Sequence, residues 1–228
     1  MVVQPHLSVP QAQFATRQGG LVRVRMLTLA SIGATGLLTI GIWALITALM
    51  ADRPANGSLG ELTRSSGLVL LSLFTATIVL GQLVAARFGV PGWPGFVVQA
   101  LHRNVSMLAV TLLIVHIAAP VIGGYLGLRL TYAFVPFIPT HIRVWTRIAA
   151  TATDLMLLTA IVSAVRARAG YRFWRAVHLM AYLAWLLGMV HAAGIGTDRI
   201  SVLALEAICV LAVAGSGWYR LRMAGHRS

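Results

Sequence analysis

The feature that decides what this chain can become is a series of long apolar stretches with at most one charged residue each. A helix needs about 20 largely apolar residues to cross a hydrocarbon layer of roughly 30 Å. Six stretches of the 228-residue sequence meet that requirement: residues 26–50, 66–86, 96–122, 148–165, 173–193 and 200–219. Backbone polar groups inside a bilayer must be bonded within the protein, so such stretches become helices. The fold class expected is therefore all-α and integral to the membrane, a bundle of six transmembrane helices. A hydrophobic content of 58%, a charged content of 10% and a mean hydropathy of +0.84 agree and exclude an ordinary soluble domain. Residues 26–219 make one domain. A tail at 1–25, expected to be disordered, precedes it, and a short tail at 220–228 follows. The apolar run after residue 20 is too long for a signal-peptide core and lacks a small-residue cleavage site.

The net charge of +13, from eighteen Arg, no Lys and five acidic residues, would by itself suggest a nucleic-acid partner. The arginines, however, lie between the apolar runs rather than in one patch. They report topology, because cytoplasmic loops carry the excess of positive charge. With the N-terminus inside, twelve arginines fall on the inner side and six on the outer, which places both termini in the cytoplasm. The loops are short, so no inserted soluble domain is expected. The longest of them has no strand, Gly-rich turn and helix that could bind a dinucleotide. The absence of Lys beside abundant Arg and Ala fits a GC-rich bacterial genome, and hence a bacterial inner membrane.

Histidines carry the chemistry. His6, His141 and His226 fall in a tail or a loop, where solvation explains them. His102 and His116 lie on the third span, 14 residues apart, and His178 and His191 lie on the fifth, 13 apart. Ionisable side chains inside a membrane are disfavoured, and they mark pathways or ligand sites. The third and fifth spans run in the same direction, so His102 and His178 belong near the inner face, and His116 and His191 near the outer. Fourteen residues separate His102 from His116 by about 21 Å along the helix with an angular offset of about 40°, so both face one side. Thirteen residues leave His178 and His191 roughly 140° apart, which calls for a bend near Gly188 or for two sites at different angles. Facing imidazoles at each level are what axial ligation of haem iron needs. A zinc site fits less well, since His102 and His116 are too far apart to share an ion. A proton relay in a haem-free six-helix transporter stays open as an alternative. The single Cys209 rules out a thiolate cluster, which leaves nitrogen or oxygen ligands.

The pattern His102-x13-His116, followed by Trp174-Arg175-x2-His178-x12-His191, resembles the ferric reductase-like transmembrane domain. That superfamily includes ferric reductases, NADPH oxidases and the haem subunit of the periplasmic methionine sulfoxide reductase system. The resemblance implies two b haems, with His102 and His178 on the inner one and His116 and His191 on the outer. It also implies a membrane oxidoreductase subunit that carries electrons from a cytoplasmic-side donor to an outer-face acceptor, either ferric iron or a periplasmic or extracellular redox protein. Two departures bear on this. The sequence ends nine residues after Tyr219 without the flavin and nicotinamide module common in the family, so the expected donor is a separate flavoprotein or a quinol. The quinol-linked alternative is a haem subunit of a periplasmic reductase such as methionine sulfoxide reductase. Oxidases commonly carry another His one turn after the outer ligand of the third span. Here that position is Pro120, which argues against superoxide production.

Arg103, Arg172 and Arg175 lie near the inner His pair, where a guanidinium can pair with a haem propionate. Snorkelling topology determinants are an equal reading. Arg129 and Arg147 have the same two readings at the outer side. Asp154 and Glu206 lie about 9 Å in from the outer ends of their spans, placed to pair with Arg147 and Arg199 or to carry protons.

Overall fold

The computed structural model describes residues 58–89, 96–123, 129–135, 143–195 and 199–225. The expected tail at 1–25, the expected first span at 26–50, and His6, His141 and His226 lie outside the described residues. Among the described residues, six α-helices and one 3₁₀ turn follow in order: α1 Ser58–Ala85, α2 Phe96–Ile122, the 3₁₀ turn Leu130–Ala133, α3 Val144–Ala164, α4 Arg166–Ala169, α5 Tyr171–Ile195 and α6 Arg199–Gly225. No strand occurs among the described residues. All of these helices except the four-residue α4 are long and apolar enough to cross a membrane, which makes this a multi-pass membrane protein.

Helix α2 has the bounds expected for the third span. The others overrun the apolar stretches. Helix α1 starts eight residues before residue 66 and takes in Glu61 and Arg64, and α6 continues through Arg220 and Arg222 to Gly225. The extra turns are amphipathic helix ends. There the backbone keeps its hydrogen bonds past the end of the apolar run.

Two antiparallel helix pairs make the bundle. Helix α1 lies along α2 and α3 lies along α5, while α1 also touches α5 and α6. The backbones of α2 and α5 stand apart. Small residues let the paired helices approach: Ala109 on α2 and Ala184 on α5 are buried beside Leu73 and Val69 of α1 and Val105 of α2. At the centre of this core the Trp185 indole N–H donates to Thr75 Oγ1 at 2.9 Å, tying α5 to α1. Lower down, Gln82 Nε2 donates to the Tyr182 hydroxyl at 3.3 Å, and the Ser216 hydroxyl donates to Gln82 Oε1, which brings in α6. Large apolar side chains point away from the core on the outside, among them Ile114, Ile161, Ile208 and Leu211. In water that surface would be a liability; facing lipid it is what a spanning bundle requires.

Helix ends are set by local backbone chemistry. Helix α1 stops in a Schellman-type turn. Phe88 N–H bonds to the Leu83 carbonyl and Arg87 N–H to the Val84 carbonyl, with Arg87 in the left-handed region at φ 55°. Gly170 separates α4 from α5 at φ 74° and ψ 146°, a conformation open in practice to glycine alone. Its carbonyl accepts the Trp174 N–H, so it sets the start of the helix that carries two of the histidines. Gly170→Ala should therefore destabilise the protein by about 1–3 kcal/mol, read as a lowered Tm in detergent. Thr75→Val keeps the shape but strands the buried Trp185 N–H. A loss of about 1–3 kcal/mol is expected in the same assay.

Candidate functional site

Helices α2 and α5 face each other through their histidines. At one level the ring centres of His102 and His178 lie 6.1 Å apart with an interplanar angle of 72°. At the other level the rings of His116 and His191 lie 6.4 Å apart at 79°. The pairing by level is the one that helical arithmetic predicts from the sequence. These separations fall in the range of edge-to-face ring pairs, and they also suit an atom held between the rings. A metal–nitrogen bond of about 2.0 Å on each side, added to about 1.1 Å from nitrogen to ring centre, would put two imidazoles that share a metal atom roughly 6.2 Å apart.

Every one of the four imidazoles is anchored through Nδ1. His102 Nδ1–H donates to the Thr77 carbonyl at 2.9 Å, and His116 Nδ1–H to the Thr63 carbonyl at 3.0 Å, both on α1. Ser66 Oγ lies 3.3 Å from the same His116 nitrogen and itself donates to the Thr63 carbonyl at 3.1 Å. His191 Nδ1–H donates to the Trp145 carbonyl at 2.9 Å, in the first turn of α3. His178 Nδ1 lies 3.2 Å from Ser163 Oγ, near the last turn of α3. A carbonyl only accepts, so at least three of the rings carry their proton on Nδ1. Each of those three then has its lone pair on Nε2. This is the arrangement in which metal-binding histidines are oriented by an outer partner.

Helix α5 is α-helical without interruption from Tyr171 to Ile195, with no change of helix type at Gly188. The two histidines of this helix meet different anchors on α3, a hydroxyl for His178 and a backbone carbonyl for His191.

A cavity of about 330 Å³ opens at the His116–His191 level. Gly67, Pro120, Gly188, Arg64, Arg129 and Tyr132 line it together with the two histidines. Pro120 has no N–H to return to the carbonyl of His116, four residues earlier, so the last turn of α2 is loosened where the cavity lies. Arg64 Nη2 is buried there without a hydrogen-bond partner. At the other level Trp174 stacks on His178, with centres 5.0 Å apart and planes at 23°, and its Nε1 is likewise buried without a partner. Each histidine pair thus has beside it a buried N–H group lacking an acceptor, which is the complement of a ligand that brings carboxylates.

The donor set fits haem better than a bare ion. Among the described residues no group of three or more His, Cys, Asp or Glu comes together. Two-ligand sites suit a metal that arrives with its own equatorial nitrogens, whereas a bare zinc ion takes four ligands.

The arginines expected beside the inner pair, Arg103, Arg172 and Arg175, are all exposed on the bundle surface, and Arg175 Nη1 reaches the Tyr171 hydroxyl at 3.5 Å. Arg64, read from the sequence only as an outer-side charge, lines the cavity instead. Its signal was its place three residues before Gly67, on a helix that the apolar count began at residue 66. Asp154 is half-buried on α3. Glu206 is buried on α6 with Oε1 unpartnered, and Arg199 is exposed at the start of the same helix. No protein-family model, no curated protein and no solved structure matches the chain.

Proposed function

We propose that this chain is a haem b electron-transfer subunit of the bacterial cell membrane, with six spans and both termini in the cytoplasm. It carries electrons from a separate cytoplasmic-side donor to an acceptor at the outer face, and so serves as the membrane oxidoreductase part of a ferric reductase-like system. What supports the reading above all is the pair of imidazole sites. At both levels the rings stand 6.1 to 6.4 Å apart, near the spacing for one metal atom between them, with Nδ1 of each ring already anchored.

On this reading His102 and His178 hold the inner haem and His116 and His191 the outer. Haem supplies a one-electron iron couple at each level. The residues do the rest. Thr77, Thr63, Trp145 and Ser163 fix the ring planes through Nδ1, which keeps ligand geometry unchanged between redox states. The buried layer of Leu73, Val105, Ala109 and Ala184 excludes water between the levels. Arg64 and Trp174 hold propionates at the outer and inner levels respectively. With two imidazoles holding the group at each level, no residue-free position for an acceptor would remain on the metal, and electron transfer out would occur at the edge of the site. Outward movement also runs with the membrane potential, by about 2.3 kcal/mol per electron for each 100 mV.

An absorption spectrum of the purified protein, oxidised and then dithionite-reduced, tests the reading. A sharp reduced α-band with about two haems per chain is expected. His116→Ala should halve that content and leave the inner haem. A well-folded, colourless preparation would overturn the proposal in favour of a haem-free proton pathway. Arg64→Gln and Trp174→Phe should each shift the reduction potential of one haem only, the outer and the inner respectively, in a spectroelectrochemical titration.

A further inference from the structure

Helix α1 repeats itself where it meets α2. Thr63 and Gly67 stand four residues apart, and so do Thr77 and Gly81. The second copy lies 14 residues after the first, the same interval that separates His102 from His116. In the antiparallel pair the copies are crossed. The Thr63 carbonyl accepts from His116 and the Thr77 carbonyl from His102. A Cβ added at Gly67 would lie 2.8 Å from His116 Cε1, and one at Gly81 would lie 3.2 Å from His102 Cε1.

The spacing follows from helix geometry. Inside a helix the carbonyl of one residue already accepts the N–H four residues later. A second donor must approach its remaining lone pair across the Cα of that later residue. A Cβ on that later residue tilts toward the N-terminus, and on this seam, at positions 67 and 81, it would meet the incoming imidazole. The threonines act through their backbone carbonyls, so the glycines are the residues the sequence must supply. Two heptads separate the copies, which keeps both on one seam of a left-handed helix pair.

We infer that Gly67 and Gly81 are positioning residues, which seat the α2 imidazoles on the Thr63 and Thr77 carbonyls and thereby set where each cofactor is held. The inference rests on the two-haem reading only for its haem readout. The test uses Gly67→Ala, Gly81→Ala and, as control, Gly215→Ala, where an added Cβ meets nothing within 4 Å. Alanine is the better helix former, so glycines that make no close approach to an imidazole would give variants at least as stable as wild type.

The expected results are loss of the outer haem in Gly67→Ala and a shifted inner-haem potential in Gly81→Ala, where the clash is milder. Gly215→Ala should match wild type. Wild-type haem content and potentials in both cradle variants overturn the inference while leaving the two-haem reading intact. If Gly67→Ala does not fold, Gly81→Ala decides by the same potential. If wild type carries no haem, the two-haem reading fails by itself, and the Tm of the variants then judges the cradle. A lower Tm than the Gly215→Ala control for Gly67→Ala and Gly81→Ala supports it, and a Tm equal to or above that control overturns it.

Discussion

The interaction on which the rest of this structure depends is the hydrogen bond from an imidazole Nδ1–H to a helix backbone carbonyl. It occurs three times, at His102, His116 and His191, and a serine hydroxyl takes the carbonyl's place at His178. Each bond costs little, because a helical carbonyl keeps a lone pair free after its own N–H is satisfied. What it fixes is large by comparison. It selects the tautomer, orients the ring and leaves the Nε2 lone pair free of the anchor. In an apolar surrounding an imidazole without such a partner would be a buried polar liability.

The helix pairing serves these bonds. Helix α1 anchors both histidines of α2, and α3 anchors both histidines of α5, so each ligand helix is braced from outside by its own antiparallel neighbour. Helices α2 and α5 can then stay apart and leave room between them, with Trp185 and Thr75 closing the bundle midway. The two halves solve the same problem differently. The α1–α2 pair uses a 14-residue repeat on both helices, whereas the α3–α5 pair joins a 13-residue spacing to two unlike anchors.

Much of this was legible in the sequence. The apolar runs located each described spanning helix, because hydrocarbon thickness sets a minimum apolar length; it sets no upper limit on the helix, so α1 and α6 run on past their apolar stretches. Histidine spacing was equally legible, since 14 residues is a fixed rise and rotation. The anchors were not. A backbone carbonyl has no side-chain signature, so Thr63, Thr77 and Trp145 gave no sign of their roles, and the only trace was two glycines at matching intervals. Arginine roles were hidden too. Arg103, Arg172 and Arg175 lay close to histidines in sequence but point outward, while Arg64, on another helix, turns into the cavity. Neighbourhood along the chain is a poor guide to which side chain of a helix faces inward when the partner helix is unknown.

The central claim is that each imidazole pair holds one haem iron axially. Low-temperature electron paramagnetic resonance of the oxidised protein tests it most directly, because the signal depends on the angle between axial imidazole planes. With planes at 72° and 79° the account predicts two low-spin ferric centres of the highly anisotropic type given by near-perpendicular imidazoles. High-spin iron, the rhombic signal of parallel imidazoles, or no ferric haem signal at all would contradict it.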